Sequence, residues 1–347
     1  MTSFDPNAAA LPGSGIFGLP DKPKDARVVV LPVPFDATTS YAKGAAKGPR
    51  AILEASRQVD LFDVETGRPY QHGIAMVPEP KQIKAWNREA TRLAQPIIDA
   101  GGVIGKNKRL ASNLQKVNRI CEEVDDFVYD TTRKLLKDGK LVALVGGDHA
   151  VPYGSIRAHA EAYPGLGVLH LDAHADLREA YEGFTSSHAS IMFNVVTKLP
   201  NVGRLVQVGI RDLGEAEHAM IEGSKGRIRT YFDAVLASER FEGTTWGQQC
   251  QRIVHDLPDN VYLSFDIDGL DPAYCPHTGT PVPGGLDFHQ TCALVATVVR
   301  SGRRIVGLDL NEVAPGPAGD EWDANVGARL LYKMIGWALK SWDRPAS

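Results

Sequence analysis

Residues 169–181 read LHLDAHADLREAY, an apolar run that gives way to Asp172, His174 and Asp176 at every second position. In extended chain, residues i, i+2 and i+4 project from one face, so two carboxylates and an imidazole are expected to converge on one point. A solvated strand end with accidental alternation is the competing reading of so short a pattern. The segments around it decide. Apolar runs of strand length recur, most of them closed by a polar motif: ARVVVLPVPFD near the start, LVALVG before GDH, LGVLHL before DAHAD, RLVQVG before IRD, VYLSF before DIDGLDP, and RRIVGLDL before NEV. They are continuous rather than alternating, as expected of strands buried on both faces.

Helical patterns lie between the runs. In LQKVNRICEEVDDFVYDTTRKLLKDGK, Leu114, Val117, Ile120, Val124, Phe127 and Val128 recur at three- and four-residue steps, and Gly139 closes the end. VPYGSIRAHAEAYPG, TWGQQCQRIVHDLPD and WDANVGARLLYKMIGWALKSW read the same way. Strand then helix, repeated, predicts an α/β fold with a central parallel sheet covered by helices on both faces. In such sheets the functional loops gather outside the carboxyl ends of the strands, and GGDH, DAHAD, DIDGLDP and NEV all fall there. Residues 1–25, rich in Pro, Gly and Ala, read as an irregular arm. No internal repeat or low-complexity linker follows, so residues 26–347 are expected to form one catalytic domain.

The chain has 347 residues, 43% hydrophobic and 23% charged, which is the usage of a water-soluble globular protein with a large core. Its 38 basic and 42 acidic residues leave a formal charge of -4, no field for a phosphate backbone, so nucleic acid is not an expected partner. No run approaches the ~18 apolar residues of a spanning helix, and the start lacks the basic and apolar stretches of a signal peptide. A cytoplasmic protein without a membrane partner is expected. Cys121, Cys250, Cys275 and Cys292 are scattered and form no CxxC pair, which reads as free thiols. Cys275 alone falls within a site motif and reads as a loop filler.

The candidate ligands are His149, Asp172, His174, Asp176, Asp266 and Asp268. Oxygen and imidazole donors without thiolate suit Mn, Ni, Co, Fe or Zn. Four carboxylates are too much charge to bury against one divalent ion and are balanced by two. A metal pair makes hydroxide available near neutral pH, so the site reads as hydrolytic. His170 shares the strand with Asp172, but its place within the apolar run favours a satisfied core histidine over a ligand. Asp148 and Asp271 adjoin ligands and read as supporting or turn residues.

With GGDH, DAHAD and SFDIDGLDP in this order, the chain resembles the ureohydrolases, the family of arginase and agmatinase. The likeness runs from about Ala26 to about Ala338 and includes YAKGAAKGPRAI, SHAS, HTGTPVPGGL and LNEVAP. It implies the arginase-like three-layer α/β/α fold and two divalent metal ions per subunit. His149 and Asp176 would bind one, His174 and Asp268 the other, and Asp172 and Asp266 would bridge. The family most often uses manganese, and a guanidine- and biguanide-hydrolysing branch is associated with nickel. The likeness also implies that Glu312 pairs with the substrate guanidinium. His188 would relay a proton to the departing amine while Asp176 steadies the tetrahedral intermediate. Assembly into homotrimers or hexamers is implied as well, with a hetero-oligomer of homologous subunits as the alternative.

The loop LREAYEGFTSSHAS resembles agmatinase-type loops more than arginase ones, which favours a substrate without an α-carboxylate. Arg178 is expected to pack or pair with an acid such as Glu182. The long stretch from about Pro80 to Ser112 and the ending GPAGDEWDANVGARLLYKM look more like the branch that includes guanidine hydrolase and metformin hydrolase. Guanidine, alkylated guanidines and biguanides are thus the first expected substrates and agmatine the alternative. His277, Trp322 and the N-terminal arm either shape that pocket or serve as surface or subunit contacts. A single-zinc deacetylase and a metal-binding partner subunit without activity are the rival classes. The second ligand set counts against the first and the intact ligands against the second.

Overall fold

The computed structural model describes residues 4–317 and 319–343. Positions 1–3 of the expected arm and 318 and 344–347 of the expected domain lie outside them. The strands are β1 (Val28–Val33), β2 (Ile74–Met76), β3 (Leu141–Gly146), β4 (Leu166–Leu171), β5 (Val202–Ile210), β6 (Ile228–Phe232), β7 (Asn260–Asp266) and β8 (Arg304–Asn311). They form one eight-stranded sheet in the order β2-β1-β3-β8-β7-β4-β5-β6, and every pairing is parallel.

Parallel neighbours need crossover connections, supplied by α1 (Gly48–Ala55), α2 (Lys81–Ile98), α3 (Lys108–Lys137), α4 (Tyr153–Ala162), α5 (Ile191–Lys198), α6 (Glu215–Gly223), α7 (Asp233–Phe241), α8 (Trp246–His255) and α9 (Phe288–Arg300); α10 (Trp322–Trp342) follows β8. The side chains of β1 show how the layers arise. Val28 and Val30 enter a core shared with Ile52 of α1 and Leu331 and Ile335 of α10. Leu31 and Val33 enter another with Leu93 of α2 and Val117 and Val124 of α3. On the far half of the sheet, Leu166 and Val168 pack with Ile156 of α4 and Val195 of α5, while Leu169 and Leu171 face the first core. The outcome is the expected three-layer α/β/α arrangement.

The short strand β2 and the edge strand β6 escape a search for continuous apolar runs. Three residues carry no pattern, and in IRTYF only Ile228 is fully buried. Within the N-terminal arm, Ile16, Phe17 and Leu19 are buried in the first core. The Phe17 ring lies 4.8 Å from that of Tyr332, and the Phe17 N–H donates to Ser56 Oγ at 2.8 Å. No described helix is long and apolar enough to cross a membrane.

Candidate metal centre

The four strands that carry the polar motifs, β3, β8, β7 and β4, are consecutive at the middle of the sheet. At about 4.8 Å per strand, their carboxyl ends lie within about 15 Å, so residues far apart in sequence meet without any long loop. After β3, Gly147 lets the chain turn against β1, since a Cβ there would overlap the Phe35 backbone. His149 follows. After β7, the single turn Ile267–Gly269 brings the Asp268 N–H to Asp266 Oδ1 at 2.9 Å, so both carboxylates stay at the strand end.

The DAHAD segment corrects one expectation. Strand β4 ends at Leu171, and residues 172–176 form an irregular loop in which Asp176 has φ 53. Asp172, His174 and Asp176 converge through this turn rather than through strand alternation. Asp176 and Glu312 (φ 61) both occupy the left-handed region as non-glycine residues, a conformation that costs on the order of 1–3 kcal/mol and collects at functional sites.

All six expected ligands are brought together. His149 Nδ1 lies 2.9 Å from Asp172 Oδ2, 3.3 Å from Asp266 Oδ2 and 3.4 Å from Asp176 Oδ2. His174 Nδ1 lies 3.1 Å from Asp268 Oδ2 and 3.4 Å from Asp172 Oδ1. Asp172 thus turns one oxygen toward each histidine. Two groups have donor atoms within 4.8 Å of one another: His149, His170, Asp172 and Asp176; and Asp172, His174 and Asp268. His174 is a quarter exposed, and the others are buried.

The electrostatics call for cations. Burial and the neighbouring Asp172 charge push the Asp176 carboxyl up to about 7. Burial, with Asp268 and Asp172 beside it, also pushes Asp266 well up. Burial disfavours the His174 imidazolium, yet Asp268 and Asp172 push it up to about 12. Such a cluster of buried carboxylates, balanced only by imidazoles, is the donor set that suits two divalent ions.

Glu312 and His188 flank the cluster. Glu312 Oε1 accepts from the His149 N–H at 3.0 Å, while Oε2 is buried without a partner. Burial and the charges of Asp266 and Asp148 push its carboxyl well up. His188 opens the turn His188–Ser190; its Nδ1 is buried and unpartnered, and burial together with His174 pushes it down to about 4. His188, His174 and Asp176 line a cavity of about 160 Å³, with Tyr181 and Asp212 beside them.

Around this cavity Arg178 pairs with an acid as expected, but with a different one, and of the two alternatives left open for His277, Trp322 and the arm, lining this cavity is not the one met. Arg178 pairs with Glu217 at 3.4 Å, not Glu182, and its guanidinium lies 5.2 Å from the Tyr181 ring centroid. Glu217 is held there because its Oε1 accepts from the Leu177 N–H at 2.9 Å. His277 is bound to Asp323, with its N–H and Nδ1 both at 2.9 Å, and Trp322 Nε1 donates to Ala273 O, so neither lines this cavity. The arm lines a different cavity, along residues 54–61. Asp148 and Asp271 serve as turn residues, accepting from the N–H of Ala150 and Ala273. Cys275 Sγ lies 3.2 Å from Ile267 O within the core.

A model of the arginase family matches residues 26–336. The chain belongs to the arginase family. It is therefore a hydrolase of C–N bonds in linear amidines, from a family that works with a divalent-metal pair on guanidino compounds. It is 35% identical to the N(1)-aminopropylagmatine ureohydrolase of Thermus thermophilus, over 92% of this chain and 94% of that one. It is 32% identical to the agmatinase of Edwardsiella ictaluri, over 90% and 88%. The proclavaminate amidino hydrolase of Streptomyces clavuligerus shares the fold, with a TM-score of 0.73 at 23% identity over 96% of this chain and 100% of that one.

A row of polar residues, buried except for the half-buried Thr230, lies beneath the ligands of this arginase-family site and carries no motif. Thr230, Gln207, His170, Ser264 and Asp309 are register partners across β6, β5, β4, β7 and β8. Ser264 Oγ donates to Asp309 Oδ1 at 3.1 Å and lies 3.0 Å from His149 Nε2. His170 is a satisfied core residue, as read, with burial holding its charged form down. The available signal was a polar residue inside the apolar runs of β5, β4, β7 and β8, the informative exception in a buried strand.

Proposed function

We propose that His149, Asp172, Asp176 and Asp266 hold one divalent ion, and Asp172, Asp266, His174 and Asp268 a second, beside a guanidinium seat made by Glu312. The unpartnered Glu312 Oε2 carries this reading. A buried carboxylate oxygen needs a cationic donor, and a planar guanidinium supplies paired N–H groups to it. Gly279 leaves the seat open, since a Cβ there would lie 3.4 Å from that oxygen. When bound, the ions supply a water nucleophile near neutral pH. Water adds to the guanidinium carbon, and Asp176 accepts a hydrogen bond from the tetrahedral intermediate. His188, its charged form disfavoured by desolvation and by His174, takes the proton that the adding water releases and gives it to the departing nitrogen as the C–N bond breaks. The products are urea, or a substituted urea, and an amine or ammonia.

The substrate has no α-carboxylate. Arg178 is engaged by Glu217, and Arg211 donates to the carbonyls of Gly209, Asp268, Leu270 and Val282. Neither is free for a carboxylate. Asp212, exposed at the cavity, pairs with no cation among the described residues, which suits an amine-ended tail as in agmatine. The names of two relatives of 30% identity or more, an aminopropylagmatine ureohydrolase and an agmatinase, agree with that tail. The small cavity volume favours a second reading, hydrolysis of guanidine, alkylated guanidines or metformin.

Urea release with Mn or Ni against arginine, agmatine, aminopropylagmatine, guanidine, methylguanidine and metformin decides the class. Agmatine should be turned over and arginine not, and Asp212→Asn should raise KM for agmatine while leaving guanidine unchanged. Preference for arginine would refute the reading. Turnover of guanidine or metformin with Ni and not of agmatine would select the second one. We further propose a homo-oligomer, a trimer or a hexamer, in keeping with the family.

A further inference from the structure

One hydrogen-bonded chain beside the metal centre has a fixed direction. Gln207 is fully buried on β5, and its carboxamide has three partners. Oε1 accepts from Thr230 Oγ1 at 2.9 Å; Nε2 donates to Ala175 O at 2.7 Å and lies 3.0 Å from His170 Nδ1. The reversed amide would set its oxygen against the Ala175 carbonyl, so the NH2 group must face both Ala175 O and the imidazole. An amide NH2 has two hydrogens and accepts nothing. His170 Nδ1 therefore presents its lone pair, and the single ring proton sits on Nε2, 2.8 Å from Asp172 Oδ2.

We propose that Gln207 is a positioning residue of the metal centre: by occupying Nδ1 it fixes His170 as a one-proton donor to Asp172 and keeps that imidazole from becoming a ligand. This rests on the metal-centre reading above. His170 stands among the donor atoms of the first group, and neutral imidazole is a common metal ligand. With the proton on Nδ1, a bare Nε2 would face the carboxylate shared by both groups and compete for an ion. With the proton on Nε2, the ring instead orients Asp172. The sheet register supplies the geometry, because Thr230, Gln207 and His170 are direct partners across β6, β5 and β4 and their side chains share one face.

The test is Mn2+ binding to the full chain, by competition with a chelating dye, in the wild type, Gln207→Leu, Thr230→Val, His170→Gln and the Gln207→Leu/His170→Gln pair. Melting of each metal-free protein is followed alongside. A glutamine at 170 keeps an N–H donor and has no tautomer to set. Gln207→Leu is expected to weaken Mn2+ binding about 10- to 100-fold, and Thr230→Val by less in the same direction. In the His170→Gln background, Gln207→Leu is expected to change it less than about threefold. Equal losses in both backgrounds would overturn the proposal, as would a lower Tm with unchanged Mn2+ affinity. Two bound equivalents in the wild type with additive losses would remove this proposal alone. A wild type that binds no Mn2+ would remove the metal-centre reading with it.

Discussion

Ser264 Oγ stands 3.0 Å from His149 Nε2 and gives its own proton to Asp309 Oδ1 at 3.1 Å. A hydroxyl has one proton, so toward the imidazole it accepts, and the His149 proton resides on Nε2. Nδ1 is left with its lone pair free to ligate a metal ion, facing Asp172, Asp176 and Asp266. Ser264→Ala is expected to weaken metal binding about 10-fold, and Asp309→Asn to weaken it in the same direction. Metal titration of purified variants checks this, and unchanged affinity in Ser264→Ala would rule out the tautomer assignment.

Glu312→Gln keeps an oxygen for the His149 N–H but removes the charge that faces a guanidinium. Turnover should fall by at least about 100-fold, or ~2.7 kcal/mol, in line with a charge-assisted pair, while bound metal stays at the wild-type level. Metal analysis beside urea assays reads both quantities. Retained turnover would exclude the guanidinium seat.

Gly279→Ala probes the same seat by size. Its Cβ would lie 3.3 Å from Ala42 O, a close contact, and 3.4 Å from Glu312 Oε2, where it would take up one approach to that oxygen. A KM increase of about 10-fold or more for the best guanidino substrate is expected, with melting temperature within a few degrees of wild type. An unaltered KM would mean that substrate approaches from elsewhere.

How much of this could be read beforehand depended on where each signal lay. Asp172, His174 and Asp176 were legible because ligand-type residues closed an apolar run, and the adjacency of β3, β8, β7 and β4 explains why four motifs make one site. Their convergence mechanism was not legible. A left-handed Asp176 is a tertiary outcome that no residue pattern announces, because Asp tolerates that conformation without requiring it. Arg178 was paired with the wrong acid because Glu217 comes from α6, and only the fold sets it beside the DAHAD loop. Glu312 as a buried, half-satisfied carboxylate was likewise beyond composition, although LNEVAP pointed to it. The polar row from Thr230 to Asp309 went unread because one polar residue per strand looks like noise until the register aligns all five.

His159 gives the acid limb of stability a specific source. Burial pushes its imidazole down to about 4 from 6.5, and its Nδ1 donates to Ser155 O at 2.8 Å. A depressed histidine pKa means that, between those values, the unfolded chain binds the proton that the native state refuses. Its contribution is complete above about pH 6.5 and is lost as pH falls toward 4, amounting to about 3 kcal/mol over that window. In denaturant titrations across pH 4 to 7, His159→Gln should flatten this slope. A slope equal to that of the wild type would exclude His159 as its source.

The central claim, that this buried histidine and aspartate cluster holds the ions that hydrolyse a guanidino group, is tested most directly by counting metal and urea on the same samples. Wild-type protein, stripped and reloaded with Mn2+, should carry two equivalents per chain and release urea from agmatine or a small guanidine. Asp172→Ala, lacking the carboxylate between both histidines, should lose metal and urea together. Urea release at the wild-type rate by a metal-free sample, or by Asp172→Ala, would contradict the claim.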